Sequence, residues 1–277
     1  MTILYKYFPL QREEHDQRIT QLLHGLIYFA SPKYFNDPFE MKPVFSLPTK
    51  SDLSTEIMKM GNASSLLSRS EKKKIHRQVT AHLTRNPPIT PTADRLNDMG
   101  VLCLTTDPRN LLMWAHYASN HTGLCIGFDT KHSPFSLARP IVYSDKRPRV
   151  SLLERLRTET ELVTSVLFSK SSHWEYESEY RCIKRPVSED EKDFYQKLLS
   201  NDSSCADEIA NLFASEGGPG LHQLEPNAIR RIYFGARIDP IRRDALAKHI
   251  CKLGLRLKLF QLALDEEKYQ LNEKQYK

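Results

Sequence analysis

The sequence predicts an α+β protein: a single domain over residues 1–277 with a mixed or antiparallel sheet at its core, peripheral helices, and a helical insertion at about 41–99. Short apolar segments rich in β-branched and aromatic residues recur along the chain, and helical periodicities fall between them. The alternation is irregular, unlike the strict βα repeat of a doubly wound sheet. No internal repeat and no low-complexity linker divides the chain.

TILYKYF (2–8) and LIYFA (26–30) read as strands flanking a polar helix over 11–24, and SPKYFNDPFE (31–40) reads as an ordered loop. Residues 50–99 are Lys- and Ser-rich and broken at NPPITP (86–91), the pattern of an exposed helical insertion. GVLCLTT (100–106), LCIGFDT (124–130) and PIVYS (140–144) are short apolar strands, and RNLLMWAHYASNH (109–121) between the first two is a helix. The stretch 150–170 has amphipathic helical spacing, 188–216 is helical again, and EGGPG (216–220) is a turn. The chain closes with a strand at RRIYFGARI (230–238), a helix over 240–253, a strand at RLKLFQLAL (256–264) and a final strand at KYQLN.

With 40% hydrophobic and 27% charged residues, the chain is long enough to bury a substantial core. No apolar run approaches the length of a membrane span, and MTILYKYFPL lacks the pattern of a secretory signal, so a cytoplasmic location without a membrane partner is expected. Cys103, Cys125, Cys182, Cys205 and Cys251 are odd in number, widely spaced and without CxxC, which suits reduced thiols better than zinc ligands. The formal charge of +6 leans toward a polyanionic partner.

Three clusters could carry chemistry. In WEYESEYR (174–181) an extended backbone would put Glu177, Glu179 and Arg181 on one face, two acids and a base in a row, with Tyr180 on the other. Such a row is either a solvated strand edge or a compensated site where carboxylates acquire chemical roles. In FNDPFE, Asn36 and Asp37 before Pro38 suit a turn closed by their own side chains, or a loop presenting them, or Glu40, to a polar ligand. In WAHYASNHTG, Trp114 and Tyr117 at i, i+3 pack a core or stack a flat heterocycle beside His116. His116 and His121 are five apart, which does not place two imidazoles on one helical face, so no metal is expected there.

Taken together, YKY, FNDPFE, LMWAHYASNHTGLCIGFD, WEYESEYR and IYFGARI resemble a large bacterial family catalogued as a domain of unknown function. The resemblance covers roughly 4–40 and 100–265, with 41–99 as a variable insert. The order of elements is similar to that of the ADP-ribosyltransferase superfamily: a first strand bearing a polar residue, a helix, a second strand, and a late strand with a Glu-x-Glu pair. The counterparts here are Tyr5, Lys6 and Tyr7 on the first strand and Glu177-Ser178-Glu179 on the late one. The chain departs from that pattern in carrying Lys6 or a tyrosine where an Arg or His is usual, and only Thr105-Thr106 where a Ser-Thr-Ser strand is usual.

The resemblance implies an ADP-ribosyltransferase-like fold and an enzyme that takes NAD as substrate. Cleavage of the nicotinamide bond passes through an oxocarbenium-like state that a nearby carboxylate stabilises. Glu179 would then hold the ribose, and Glu177, roughly 7 Å along a strand, would orient or deprotonate the acceptor. Arg181 would keep both ionised or bind pyrophosphate, and Tyr5, Lys6, Tyr7, Asn36, Asp37, Trp114, His116 and Tyr117 would contact NAD. A toxin or anti-phage effector is the expected setting, with RNA or DNA preferred over protein as acceptor and an antitoxin as a further partner. A non-catalytic nucleic-acid-binding module is the alternative. A nuclease holding a metal on Asp37, Glu40, Glu177 and Glu179 ranks third.

Overall fold

The structure is a computed structural model that describes residues 2–46, 51, 68–85, 96–151, 165–193, 196, 210–211, 214–225 and 227–276. The chain forms two compact units. The first comprises Met1–Tyr34, Asn97–Ile141 and Ser172–Lys277, and the second Phe35–Leu96 and Val142–Ser171. Each is assembled from separate stretches of chain, which is why no linker in the sequence marks a boundary.

The strands of the first unit are β1 (Ile3–Phe8), β2 (Leu26–Phe29), β4 (Gly100–Thr105), β5 (Leu124–Asp129), β6 (Arg139–Pro140), β10 (Glu179–Lys184), β11 (Gly220–Gln223), β12 (Ile229–Phe234), β13 (Lys258–Leu264) and β14 (Leu271–Gln275). The second unit contributes β3 (Val44–Ser46), β7 (Val142–Ser144), β8 (Arg149–Ser151) and β9 (Ser169–Ser171). The helices are α1 (Glu13–Leu23), α2 (Arg69–Arg85), α3 (Leu111–Tyr117) and α4 (Pro240–Lys252).

The first unit is built on one eight-stranded sheet of order β14-β13-β12-β5-β1-β4-β10-β6. Its pairings are antiparallel except β12 with β13, so the expected mixed α+β architecture is present. Period-2 alternation explains its two faces. Leu4 and Phe8 of β1 join Leu102, Leu104, Ile126 and Phe128 in a core that takes Ile19, Leu22 and Leu23 of α1 and Ala247 and Ile250 of α4. Tyr5 and Tyr7 point the other way, into a smaller cluster with Met113 and Trp114 of α3, Cys125 and Tyr233. β1 pairs with β5 along its whole length, from Ile3 opposite Asp129 to Phe8 opposite Leu124, but meets β4 only where Tyr5 lies opposite Thr105. The sheet therefore opens between β1 and β4 beyond Tyr5, at the position of Lys6.

Caps explain where two helices start. Asn110 accepts from the backbone of Leu112 and Met113 to start α3, and Asp239 accepts from Arg242 N ahead of Pro240 to start α4. Gly123 is required by a close approach: a Cβ there would lie 2.2 Å from the carbonyl oxygen of Phe8.

In the second unit, β3 pairs with β8 and β7 with β9, both in parallel. The stretch 150–170, read as amphipathic, begins in β8 and ends in β9, with residues 165–167 helical; residues 152–164 lie outside the described set. The expected strand 140–144 is divided between β6 and β7, which pair with different partners. Of the expected insertion at 41–99, α2 is helical as read, and much of the remainder lies outside the described residues, as do most of 188–216 and Cys205. The strand β11 follows the EGGPG turn and pairs with β2. No helix among the described residues is long and apolar enough to cross a membrane.

Candidate functional site

The stretch 174–181 is not one strand. Ser172–Glu177 forms a 3-10 helix, Ser178 takes a left-handed φ of 44° with its N–H donating to Glu175 O, and β10 begins only at Glu179. The expected row of Glu177, Glu179 and Arg181 on one strand face is therefore corrected. Glu179 and Arg181 alternate with Tyr180 as read, while Glu177 belongs to the preceding helical turn. All three are nonetheless buried, Glu177 and Glu179 at 3% exposure and Arg181 at 0%. The solvated-edge reading is excluded.

Arg181 grips its strand neighbour with both arms: Nε donates to Glu179 Oε1 at 2.7 Å and Nη2 to Oε2 at 3.1 Å. A bidentate guanidinium keeps a buried carboxylate ionised. On β4, Thr105 lies opposite Glu179 and Cys103 opposite Arg181. Burial and the Glu179 charge push the Cys103 thiol far up, so it stays protonated beside the acid. Arg181 is completely enclosed, with two of its nitrogens bonded to Glu179.

Helix α3 is fastened to the 3-10 turn at both ends. Asn110 Nδ2 donates to Tyr176 O at 2.7 Å, and the Tyr117 hydroxyl donates to Glu177 Oε1 at 2.6 Å. His116 Nδ1 lies 3.1 Å from the Tyr176 hydroxyl. Asn110, which the sequence reading passed over, thus does two jobs, capping α3 and binding the turn that carries Glu177. Its position just before an apolar helical run is the signal that could have found it.

Beside this arrangement, within the first unit, is a cleft of about 500 Å³. Its wall includes Lys6, Arg18, Tyr28, His116 and Tyr117. The Lys6 amine turns into the opening between β1 and β4 and donates to Cys103 O at 3.3 Å. Burial lowers its pKa, against the nearby Glu179 charge, which raises it. Glu177 and Glu179 are therefore coupled to the cleft through Tyr117 and Lys6.

The other expected contacts divide. Tyr7 borders the cleft, but its hydroxyl is committed to Asp107 O at 2.8 Å, and burial pushes its pKa far up. Tyr5 is in the aromatic cluster, edge-on to Tyr233 at 5.9 Å, and its hydroxyl accepts from Arg231. Trp114 is completely enclosed, edge-on to Tyr7 at 5.2 Å and stacked on His121 at 6.2 Å, with Nε1 donating to Pro108 O. Its ring is core and offers no face to a ligand. Asn36 and Asp37 belong to the second unit, where Asp37 Oδ1 accepts from Phe39 N at 2.9 Å, the self-closed turn that Asx-Pro spacing allows. In the same unit Glu40 and Lys170 form a buried pair at 3.9 Å. Among the described residues no group of three or more His, Cys, Asp or Glu is arranged to hold a metal ion.

A family model described as "Protein of unknown function (DUF2971)" matches residues 113–182. That span runs from α3 to the middle of β10 and contains Tyr117, Glu177, Glu179 and Arg181. Neither the curated proteins nor the solved structures give a match.

Proposed function

We propose that this protein is an ADP-ribosyltransferase-like enzyme that uses NAD to modify a macromolecule, RNA or DNA ahead of protein, as a toxin or anti-phage effector does. The observation that carries the reading is the Glu179–Arg181 pair: a carboxylate at 3% exposure bonded through both oxygens to a guanidinium, behind Lys6 of the cleft wall. In transfer, the bond from ribose C1′ to nicotinamide breaks, and its electron pair leaves on neutral nicotinamide. An acceptor oxygen or nitrogen then bonds to C1′ and releases its proton. Fixed negative charge beside the sugar lowers the energy of the cationic state between these events. Glu179 supplies that charge from behind the Lys6 wall of the cleft. Glu177 acts through the Tyr117 hydroxyl, which it orients in the cleft wall toward the incoming acceptor. Enclosed Arg181 and half-buried Asn110 do the positioning.

The test is nicotinamide release. The purified chain is incubated with NAD labelled in its ADP-ribose half and, separately, with cellular RNA, DNA and protein. Label should appear in a nucleic-acid fraction together with free nicotinamide. Salt-sensitive nucleic-acid binding without any loss of NAD would replace this reading with that of a binding module.

A further inference from the structure

We infer that the same cleft carries a subsite for a pyrophosphate group, formed by Lys6, His15 and Arg18. The inference deepens the proposed function and rests on it for the identity of the ligand as a dinucleotide.

Basic side chains from two elements meet at this surface. Lys6 on β1 and His15 and Arg18 on α1 all line the cleft, and Glu14 is the acid among its lining residues. Arg18 lowers the proton affinity of both Lys6 and His15, so both lie within reach of its charge. Among the described residues neither Lys6 nor Arg18 forms an ion pair within 4.0 Å. The Lys6 amine has its 3.3 Å bond to a carbonyl, and the Arg18 guanidinium lies 4.0 Å over the face of Tyr28, which fixes its plane and leaves its N–H edges to donate sideways. Cations held at one concave surface are stabilised when an anion enters.

His15 adds a neutral donor. Its Nδ1 accepts the backbone N–H groups of Gln11 at 3.1 Å and Arg12 at 3.2 Å, where α1 has no side-chain cap of the usual kind. With Nδ1 occupied as an acceptor, the ring proton sits on Nε2. Protonating the ring would break both contacts, and burial together with Arg12 already lowers its proton affinity. Two basic side chains and a neutral N–H, spread from the partly buried strand residue Lys6 to the exposed helix residue Arg18, match a ligand with two linked anionic groups better than a lone carboxylate. The cleft volume of about 500 Å³ is in the range of small-molecule sites.

The test uses calorimetric titration of the full chain with ADP-ribose and with inorganic pyrophosphate, alongside nicotinamide release. Arg18 is exposed, so Arg18→Glu keeps the fold, which circular dichroism checks; Lys6→Met is the second variant. Both ligands should bind wild type, more weakly as salt is raised, and each variant should weaken ADP-ribose by about tenfold or more. Equal binding to wild type and both variants, or no binding of either ligand to wild type at millimolar concentration, overturns the subsite. Nicotinamide release with an unchanged KM in Arg18→Glu overturns the subsite and leaves the transferase standing. Arg18-dependent ADP-ribose binding without nicotinamide release supports the subsite and removes the transferase.

Discussion

The Tyr117 hydroxyl donates to Glu177 Oε1 at 2.6 Å, joining the end of α3 to the helical turn that precedes β10 across 60 residues of chain. Asn110 makes a parallel tie from the start of α3 to Tyr176 O. A short helix of this kind is marginal alone and draws its order from tertiary contacts. These two bonds and the enclosed Trp114 are such contacts, so one clamp orders α3 and holds the Glu177 turn.

Tyr117→Phe removes the hydroxyl while keeping the ring. A buried carboxylate that loses a donor is destabilised by about 1–3 kcal/mol, so the denaturant midpoint should fall with the m-value unchanged. Nicotinamide release should fall further than stability explains, because the group linking Glu177 to the cleft is gone. An unchanged midpoint would show that the hydroxyl contributes nothing to holding Glu177.

Trp114 and Trp174 should behave differently. Trp114 is fully enclosed and its N–H is bonded to Pro108 O, whereas Trp174 is half-buried, with its ring 6.1 Å from that of Tyr176. Trp114→Ala should cost about 3–5 kcal/mol in chemical denaturation, and Trp174→Ala distinctly less. Trp114→Phe should recover part of the loss, limited by the unpaired Pro108 carbonyl. Equal costs for the two alanine variants would contradict the placement of Trp114.

Much of the sheet was legible because its strands are apolar runs bounded by polar turns, as ILYKYF and GVLCLT show. The shared strand face of Glu179 and Arg181 was legible from period-2 spacing, but their burial was not, because a charged row reads equally as a solvated edge. Glu177 was misplaced because the alternation was extended one turn too far: the left-handed Ser178 has no sequence signal as strong as a glycine. His15 and Arg18 went unread because charged positions on a polar helix look like a solvated face. Their significance depends on α1 packing beside the opening between β1 and β4, a long-range pairing that no local window reports. Strand β11, GLHQ, was missed because it is short and starts at a glycine, and it is defined by its partner β2.

Lys6 should impose a measurable pH dependence. Burial lowers its folded-state pKa below the unfolded value, so in the window between the two the unfolded chain binds more protons and stability rises with pH. Below that window the folded state carries the ammonium partly desolvated, at a cost, and above it both states are neutral. Lys6→Met removes the effect. Its stability advantage over wild type should be largest near neutral pH and shrink as pH approaches 10, as read by denaturant melts at matched salt. An advantage that stays constant or grows with pH would contradict the burial of the ammonium.

Glu179→Gln separates chemistry from architecture only when paired with a second change. Glutamine preserves shape but removes the negative charge to which two nitrogens of the enclosed Arg181 are bonded, so the single variant should lose about 3–5 kcal/mol of stability as well as activity. Loss of turnover in that variant alone would therefore prove nothing. In Glu179→Gln with Arg181→Met the guanidinium no longer faces an uncharged amide, and stability should recover part of the loss, because exchanging a buried ion pair for uncharged groups of similar volume is often nearly neutral. Nicotinamide release should stay at least about 10²-fold down in kcat, since the charge that stabilises the oxocarbenium ion is still missing. A double variant that folds like wild type and releases nicotinamide at the wild-type rate would show that Glu179 and Arg181 are structural partners, and the chemistry would have to be sought elsewhere in the cleft.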